Sequence, residues 1–297
     1  MNFKWFVIVA LAGVLTGQVS PSSAQQANQP EKFVLPGEGF IQIITTTDGS
    51  TMIGRITRVT DETVAFTTDL GTVTIPRGMI TSLRTVPESS LKGGEYWFPD
   101  PNTSRLYFAP TGRMLPEGEG YIADYYLVFP SINYGFTDNL SLGGGFSILP
   151  TGNMADQIYF FTPKVGLKRS ERLNIAAGAL VLKIPGEEDA PTVSVLYGVG
   201  TWGGIERSMT FAFGYGMVDT DLADKPMIVI GGEQRFTRRL AFVTENWIIP
   251  GVDDAFVSYG LRFLTEKFTT DFALWNITSG DAIFPGIPYI DFVYYFR

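Results

Sequence analysis

Residues 257–263 read VSYGLRF, residues 268–274 read FTTDFAL and residues 290–296 read IDFVYYF. In each stretch, bulky apolar side chains alternate with small, polar or charged ones, and a period of two indicates a β-strand. The bulky set is rich in aromatic residues, whereas the other set includes Arg262 and Asp271. Strands that are apolar outside and polar or small inside are typical of transmembrane β-barrels. We therefore predict an all-β fold with an antiparallel transmembrane β-barrel.

The composition excludes several kinds of chemistry. The 297 residues contain no histidine and no cysteine, so Ser-His-Asp triads, Cys/His zinc sites and disulfides are impossible. Binding to a nucleic acid needs a basic face, and the net charge of −8 disfavours one. We expect no catalytic residues, no cofactor, no metal site and no nucleic-acid partner.

The first 24 residues are typical of a secretory signal peptide. Lys4 supplies a basic start, residues 5–15 an apolar core, and residues 22–24 a small-residue cleavage site. A membrane anchor is the alternative, but a helix that crosses a bilayer needs about 20 apolar residues. No later stretch has 18 consecutive apolar residues, so a membrane-embedded mature chain would have to be a closed barrel.

The rest of the chain divides by composition. Residues 25–36 are polar and predicted to form a disordered leader. Residues 37–87 are predicted to form a small β domain, and the Gly- and Pro-containing residues 88–101 a linker. Residues 102–297 carry the long alternating strands and are predicted to form the membrane barrel.

The small domain has five predicted strands separated by tight turns. The run TDGSTMIGRI at residues 47–56, with GTVTIP at residues 71–76 and Ile80 beyond it, resembles the Sm-like and SH3-like small barrels. This resemblance implies a five-stranded barrel. We expect it to lie in the periplasm and to contact a protein partner through residues 37–87.

About twelve strands are predicted in the barrel. Short turns alternate with longer connections, as in outer-membrane barrels with short periplasmic turns, and an even count returns both barrel ends to the periplasm. The predicted strands are residues 103–109, 120–134, 139–149, 157–168, 172–183, 192–202, 206–217, 226–236, 239–249, 255–265, 268–276 and 287–297.

Register can be predicted where turns are short. A two-residue turn at residues 266–267 sets Arg262 opposite Asp271, which predicts an ion pair inside the barrel. Similar counting about Ser170 sets Lys164 opposite Asn174. The pattern leaves the face of Glu245 ambiguous. The lumen-facing candidates are Arg105, Asp124, Lys164, Asn174, Glu233, Arg262, Asp271 and Asp291.

The outward set of aromatic side chains is predicted to contact lipid and to form the interfacial girdle. A sugar- or hydrophobic-ligand-binding surface is the alternative use of such a set. The lipid-facing candidates are Phe211, Phe213, Tyr215, Tyr259, Phe263, Phe272, Phe292, Tyr294 and Phe296.

The final strand resembles the carboxyl-terminal signal of bacterial outer-membrane proteins. Ile290, Phe292, Tyr294 and Phe296 alternate as in that signal, although here Arg297 follows the last aromatic residue. Residues 101–110 are also similar to sequences of uncharacterised outer-membrane proteins. The resemblance implies outer-membrane localisation, with membrane lipid and the barrel-assembly machinery as partners.

Three functions remain open from the sequence. A non-enzymatic barrel is either a small channel or a structural envelope protein, because about twelve strands lie between filled barrels of about eight and open pores of about sixteen. The first alternative is a secreted soluble β protein that binds a ligand or partner. The second is a barrel enzyme similar to the barrel phospholipases, whose serine–histidine pair cannot form without histidine.

Overall fold

The computed structural model describes residues 33–150, 153–185, 192–278 and 284–297. The predicted signal peptide and residues 25–32 of the predicted leader lie outside these ranges. The chain divides into two compact units between Phe98 and Pro99.

The first unit is a five-stranded antiparallel sheet of order β4-β3-β2-β1-β5. Its strands are β1 Phe40–Thr46, β2 Thr51–Val59, β3 Thr63–Thr68, β4 Gly71–Pro76 and β5 Ile80–Pro87. A buried cluster that includes Ile44, Ile56 and Phe66 forms its core. The five predicted strands are present, and the assignment to Sm-like barrels stays a prediction.

The predicted linker is more regular than its glycines suggested. A hairpin forms from β6 Leu91–Lys92 and β7 Glu95–Tyr96. Gly93 and Gly94 join its strands with φ values of 58° and 80°, which residues other than glycine rarely adopt. The two glycines therefore make a tight turn here.

The second unit is a closed barrel of twelve antiparallel strands. The pairs of β21 with β8, such as Val293 with Ala123, close the circle. A break at residues 162–163 divides one wall strand into β11 and β12, and β16 is a short extension beside β15. The strands are β8 Gly120–Tyr125, β9 Phe129–Thr137, β10 Leu140–Phe146, β11 Tyr159–Phe161, β12 Lys164–Lys168, β13 Leu173–Lys183, β14 Thr192–Gly203, β15 Arg207–Val218, β16 Asp221–Leu222, β17 Met227–Thr237, β18 Leu240–Ile248, β19 Ala255–Leu264, β20 Phe268–Ile277 and β21 Ile287–Phe296.

The predicted count of about twelve strands is confirmed, but two of the predicted strands differ from the observed ones. Residues 103–109 were predicted to be the first wall strand, and instead they lie inside the barrel. Residues 120–134 were predicted to be one strand, and instead they form β8 and most of β9. The chain reverses there at Tyr126 and Leu127, with φ values of 55° and 62°. Neither residue is typical of turns, so this reversal could not be predicted from residue types.

The barrel is apolar outside and charged inside. Phe211 and Phe272 are 51% and 49% exposed, whereas Arg262, Asp271 and Asp291 have no exposed surface. Among the lipid-facing candidates Tyr215 and Phe296 are half-buried. The exposed candidates are Phe211, Phe213, Tyr259, Phe263, Phe272, Phe292 and Tyr294.

In the part of the chain that the structure describes, no helix has the length and apolar character needed to cross a membrane.

Candidate functional site

Residues 99–119, which we name the strap, form no strand of the wall and bond to it from within. The strap contacts strands on opposite sides of the barrel, so it lies across the lumen. Its hydrogen bonds include Tyr107 Oη to Val243 O on β18 (2.6 Å), Gly112 N to Thr201 Oγ1 on β14 (2.8 Å), Lys164 Nζ on β12 to Ser104 O (3.2 Å) and Tyr295 Oη on β21 to the Asn102 side chain (2.6 Å).

Arg262 stands at the centre of the charged lumen, and all five of its N–H groups are bonded. Its Nε and Nη2 pair with both carboxylate oxygens of Asp271 at 2.7 and 2.8 Å, and its Nη1 pairs with Glu233 at 2.9 Å. The remaining two N–H groups donate to strap carbonyls, those of Asn102 at 2.9 Å and Leu106 at 2.7 Å. A guanidinium has five donors in a fixed fork. Arg262 therefore fastens the strap to three wall strands at once.

Arg105 is a second cation in the same cluster, contributed by the strap itself. Its Nη2 lies 2.8 Å from Asp291 on β21 and 3.8 Å from Asp271 on β20. Its guanidinium lies over the ring of Tyr125, 5.0 Å from the centroid, and Nη1 donates to the Tyr107 carbonyl. A cation of the strap is thus paired with acidic side chains of the wall.

Glu245 holds the turn of the strap. Its Oε2 accepts from the backbone N–H groups of Tyr107, Phe108 and Ala109 at 2.8 to 3.0 Å. Its Oε1 accepts from Trp247 Nε1 at 2.8 Å. A fully buried carboxylate with four donors is well compensated for its loss of water.

The inward face of β18 explains why the sequence left Glu245 ambiguous. Ala241 and Val243 share that face and are fully buried. They are apolar because the strap, not water, covers them: Val243 packs against Leu106 and Tyr107. The expected contrast between apolar outside and polar inside is lost wherever the strap rests.

The prediction that Asp124 faces the lumen is wrong. Asp124 pairs with Phe292 across β8 and β21, so it lies on the exterior face. The inward set of β8 is instead Tyr121 and Ala123, because aromatic rings there pack inside the barrel.

Lys164 and Asn174 are both buried inside the barrel, but they are not opposite each other. Lys164 pairs with Gly178, because the turn at residues 169–172 is longer than predicted and the register shifts between Gly166 and Lys168. The other candidates, Arg105, Glu233, Arg262, Asp271 and Asp291, are brought together in the ion-pair cluster.

The strap leaves the barrel beside the turn between β9 and β10. Glu117 N donates to Asp138 Oδ1 at 3.2 Å, and Arg169 Nη1 lies 3.1 Å from Asp138 Oδ2. The backbone N–H of Glu117 and then the charge of Arg169 lower the pKa of the Asp138 carboxyl. The carboxylate form of Asp138 is therefore favoured.

The lumen beside the strap contains a cavity of 490 Å³. Residues of β13, β14, β15, β17 and β18 line one side of it, residues of β8 to β12 line another, and the strap contributes Ser104, Arg105 and Phe108. Nothing in the sequence pattern signalled this cavity, because most residues of β13 and β14 are apolar or small on both faces.

Within the described ranges, no group of three or more histidine, cysteine, aspartate or glutamate residues could hold a metal ion.

Comparisons with known proteins find similar shapes but no similar sequence. No protein-family model matches the chain, and no curated protein matches it. Among solved structures, the KdgM porin is 8% identical with a TM-score of 0.43, covering 60% of this chain and 97% of its own. A loop L8 deletion mutant of Vibrio cholerae OmpT is 12% identical with a TM-score of 0.33, covering 86% and 96%. Pseudomonas aeruginosa OprD is 8% identical with a TM-score of 0.32, covering 86% and 92%. The description of the fold therefore depends on the strand pairing given above.

Proposed function

We propose that this protein is a non-enzymatic outer-membrane β-barrel whose lumen is kept closed by its own strap. Of the two roles left open by the sequence, a channel or a structural envelope protein, the closed lumen favours the structural one. The observation that carries this proposal is the hydrogen bonding of Arg262, which donates two of its five N–H groups to strap carbonyls. Because the strap completes a buried ionic cluster, removing it from the lumen would leave charges unpaired.

The exterior of the barrel supports a membrane location. A water-soluble monomer rarely exposes a continuous apolar surface beyond a few hundred Å². Here exposed aromatic side chains recur on β15, β19, β20 and β21, while the charged side chains of the last three strands, Arg262, Asp271 and Asp291, are buried. Contact of such a surface with lipid is favourable, whereas its contact with water is unfavourable. This disfavours the secreted soluble alternative. Twelve antiparallel strands joined by short turns at one end are typical of outer-membrane proteins.

A non-enzymatic role fits the chemistry that the lumen offers. The carboxylates of Asp271 and Asp291 bond to arginine, and Glu245 bonds to backbone and indole N–H groups. Groups held in this way stabilise a structure, whereas a general base must have a free lone pair within reach of a substrate proton. We assign these carboxylates to holding the strap.

The small five-stranded unit is proposed to be a periplasmic contact module. Leu70 and Val73 lie at and after the β3–β4 turn and are exposed. Apolar side chains at a tight exposed turn are suited to contact a protein partner. Photo-crosslinking from position 70 in cells, with position 48 as the control, would capture a partner at position 70 alone.

Conductance in planar bilayers tests the closed lumen. The full-length mature protein is expected to show no stable open-pore steps. The variant Arg105→Ala/Glu245→Ala removes two strap anchors and is expected to produce frequent open-pore steps. Arg169→Ala, which alters an exposed pair at 3.1 Å, is the matched control and should remain closed.

Each variant must first keep heat-modifiable gel mobility, which shows that the barrel is folded. Stable high conductance of the unaltered protein, equal to that of the double variant, would overturn the closed-barrel proposal.

A further inference from the structure

The 490 Å³ cavity in the lumen has an apolar wall at the end of the barrel remote from Gly120 and Phe296. Protein interiors are close-packed, with few voids larger than a water molecule, and apolar voids stay dry. The volume falls within the range of about 300–1,000 Å³ found for ligand pockets. The apolar residues that line it include Leu180, Leu182, Val195, Met227, Val229 and Trp247.

The wall of this cavity contains Lys164, a cation that has no anionic partner among the residues placed by the structure. Lys164 is 7% exposed, and its Nζ donates to the carbonyls of Ser104 at 3.2 Å and Arg113 at 2.5 Å. Among the described residues no carboxylate forms an ion pair with Lys164. An ammonium group has three donors, and burying its charge is costly without an anion nearby. Within the described part of the chain, neither the third donor nor the charge of Lys164 is matched.

A buried hydroxyl lines the same cavity. Ser104 is 8% exposed, and its Oγ has no hydrogen-bond partner among the residues that the structure describes. A buried polar group without a partner is rare and calls for an explanation. Since Lys164 Nζ bonds the carbonyl of this same serine, the unmatched cation and the unmatched hydroxyl are close neighbours.

We propose that the cavity binds a single-chain amphiphile with an anionic head, of the fatty-acid type. The head accepts hydrogen bonds from Lys164 Nζ and Ser104 Oγ. The tail runs along β13 and β14 past Leu180 and Leu182 toward the remote end of the barrel. This inference goes beyond the closed-barrel role, because it assigns a ligand to the lumen.

The chemistry of the two poles distinguishes this ligand from others. A neutral hydrocarbon would fill the apolar part but leave Lys164 without an anion. A cationic amphiphile would bring like charges together at Lys164 and Arg105, two cations that line the cavity. A small anion without a tail would leave the apolar wall empty. Only the anionic amphiphile satisfies both poles.

Binding of dodecanoate to the full-length mature protein in phosphatidylcholine nanodiscs tests the proposal. Equilibrium dialysis, corrected with protein-free nanodiscs, is expected to show one saturable site per chain. The measured ligand is labelled dodecanoate. Excess unlabelled dodecanoate should displace it, whereas dodecyltrimethylammonium, which has the same tail and the opposite charge, should not.

Two neighbouring positions on β14 provide a matched pair of variants. Val195 faces the cavity and Leu196 is exposed on the exterior. Val195→Trp fills the cavity and is expected to abolish saturable binding, whereas Leu196→Trp adds a larger ring outside and is expected to preserve it.

Ser104→Ala tests the polar end without disturbing the fold, because the hydroxyl has no hydrogen-bond partner to lose among the described residues. Loss of one hydrogen bond to a charged head is expected to weaken binding about tenfold. Dodecanoate binding that is not saturable, that survives Val195→Trp, or that dodecyltrimethylammonium displaces equally well would overturn the proposal. These binding results are independent of the conductance test, so the ligand proposal can fail while the closed-barrel proposal stands.

Discussion

Arg262 on β19 and Asp271 on β20 form a bidentate ion pair inside the barrel, with N–O distances of 2.7 and 2.8 Å and no exposed surface on either side chain. The two residues are directly opposite in the antiparallel register. Bidentate arginine–carboxylate pairs are strong and geometrically specific. Because the same guanidinium also bonds the strap, this pair joins the wall of the barrel to its contents.

Replacing Arg262 with methionine should strongly destabilise the protein. The change leaves Glu233 buried without its cation and Asp271 with Arg105 alone, at 3.8 Å, and removing one partner of a buried pair costs about 3–5 kcal/mol. Urea unfolding in lipid vesicles measures the loss. Arg169→Met removes an exposed partner of Asp138 and should cost far less, because exposed ion pairs contribute little to stability. Equal losses in the two variants would show that the buried cluster does not support the fold.

Replacing Glu245 with alanine should release the turn of the strap. Hydrogen exchange at the amides of Tyr107, Phe108 and Ala109 should accelerate, because one carboxylate oxygen accepts from all three. Thr201→Val is the control, since the only strap amide that loses its acceptor there is Gly112 N; the other bond of this hydroxyl, to Thr210 Oγ1, lies within the wall. If exchange at the three amides stays slow in Glu245→Ala, another group holds the turn.

Replacing Gly112 with alanine should displace the strap. A Cβ at this position would lie 2.1 Å from the carbonyl oxygen of Asn174 on β13, a backbone atom that cannot rotate away. Overpacking of this kind costs about 1–3 kcal/mol. Gly200→Ala on β14 is the matched control, because a Cβ there meets nothing within 4 Å. Unfolding midpoints that agree within error for the two variants would contradict this close approach.

The Asp138 carboxyl should titrate below the usual range for aspartate. The Glu117 N–H and the Arg169 charge both favour its ionised form. A group with a lowered pKa in the folded state stabilises that state above its unfolded pKa, and the contribution is lost as the pH falls through the folded pKa. NMR titration of the Asp138 carboxyl carbon measures the shift, and Arg169→Met should return part of it. An ordinary pKa in the unaltered protein would contradict the observed contacts.

Much of the barrel wall could be predicted from alternation, because bulky exposed residues contrast with polar or small buried ones along most strands. The register of β19 and β20 could also be predicted, since a short turn at residues 266–267 fixes the pairing. The register of Lys164 could not, because a longer turn and an irregular pairing intervene before β13.

The strap could not be predicted, for a physical reason. Residues 103–109 alternate in the same way as a wall strand, and alternation shows only that two faces differ, not what covers each face. Arg105 was expected inside and does lie inside, but it reaches the lumen from the strap and not from a strand. The exterior position of Asp124 was missed because the aromatic residues of β8 pack inward against the contents of the barrel.

Accessibility of spin labels along β20 tests the central claim, a barrel with lipid outside and a filled lumen inside. The chain has no cysteine, so a cysteine introduced at Phe272, Leu274 or Trp275 gives a single labelling site. In vesicles, we expect labels at Phe272 and Leu274 to collide with oxygen dissolved in lipid and to be shielded from a water-soluble nickel chelate, and the label at Trp275 to be shielded from lipid. Labels at Phe272 and Leu274 that meet the nickel chelate more readily than oxygen would contradict the account.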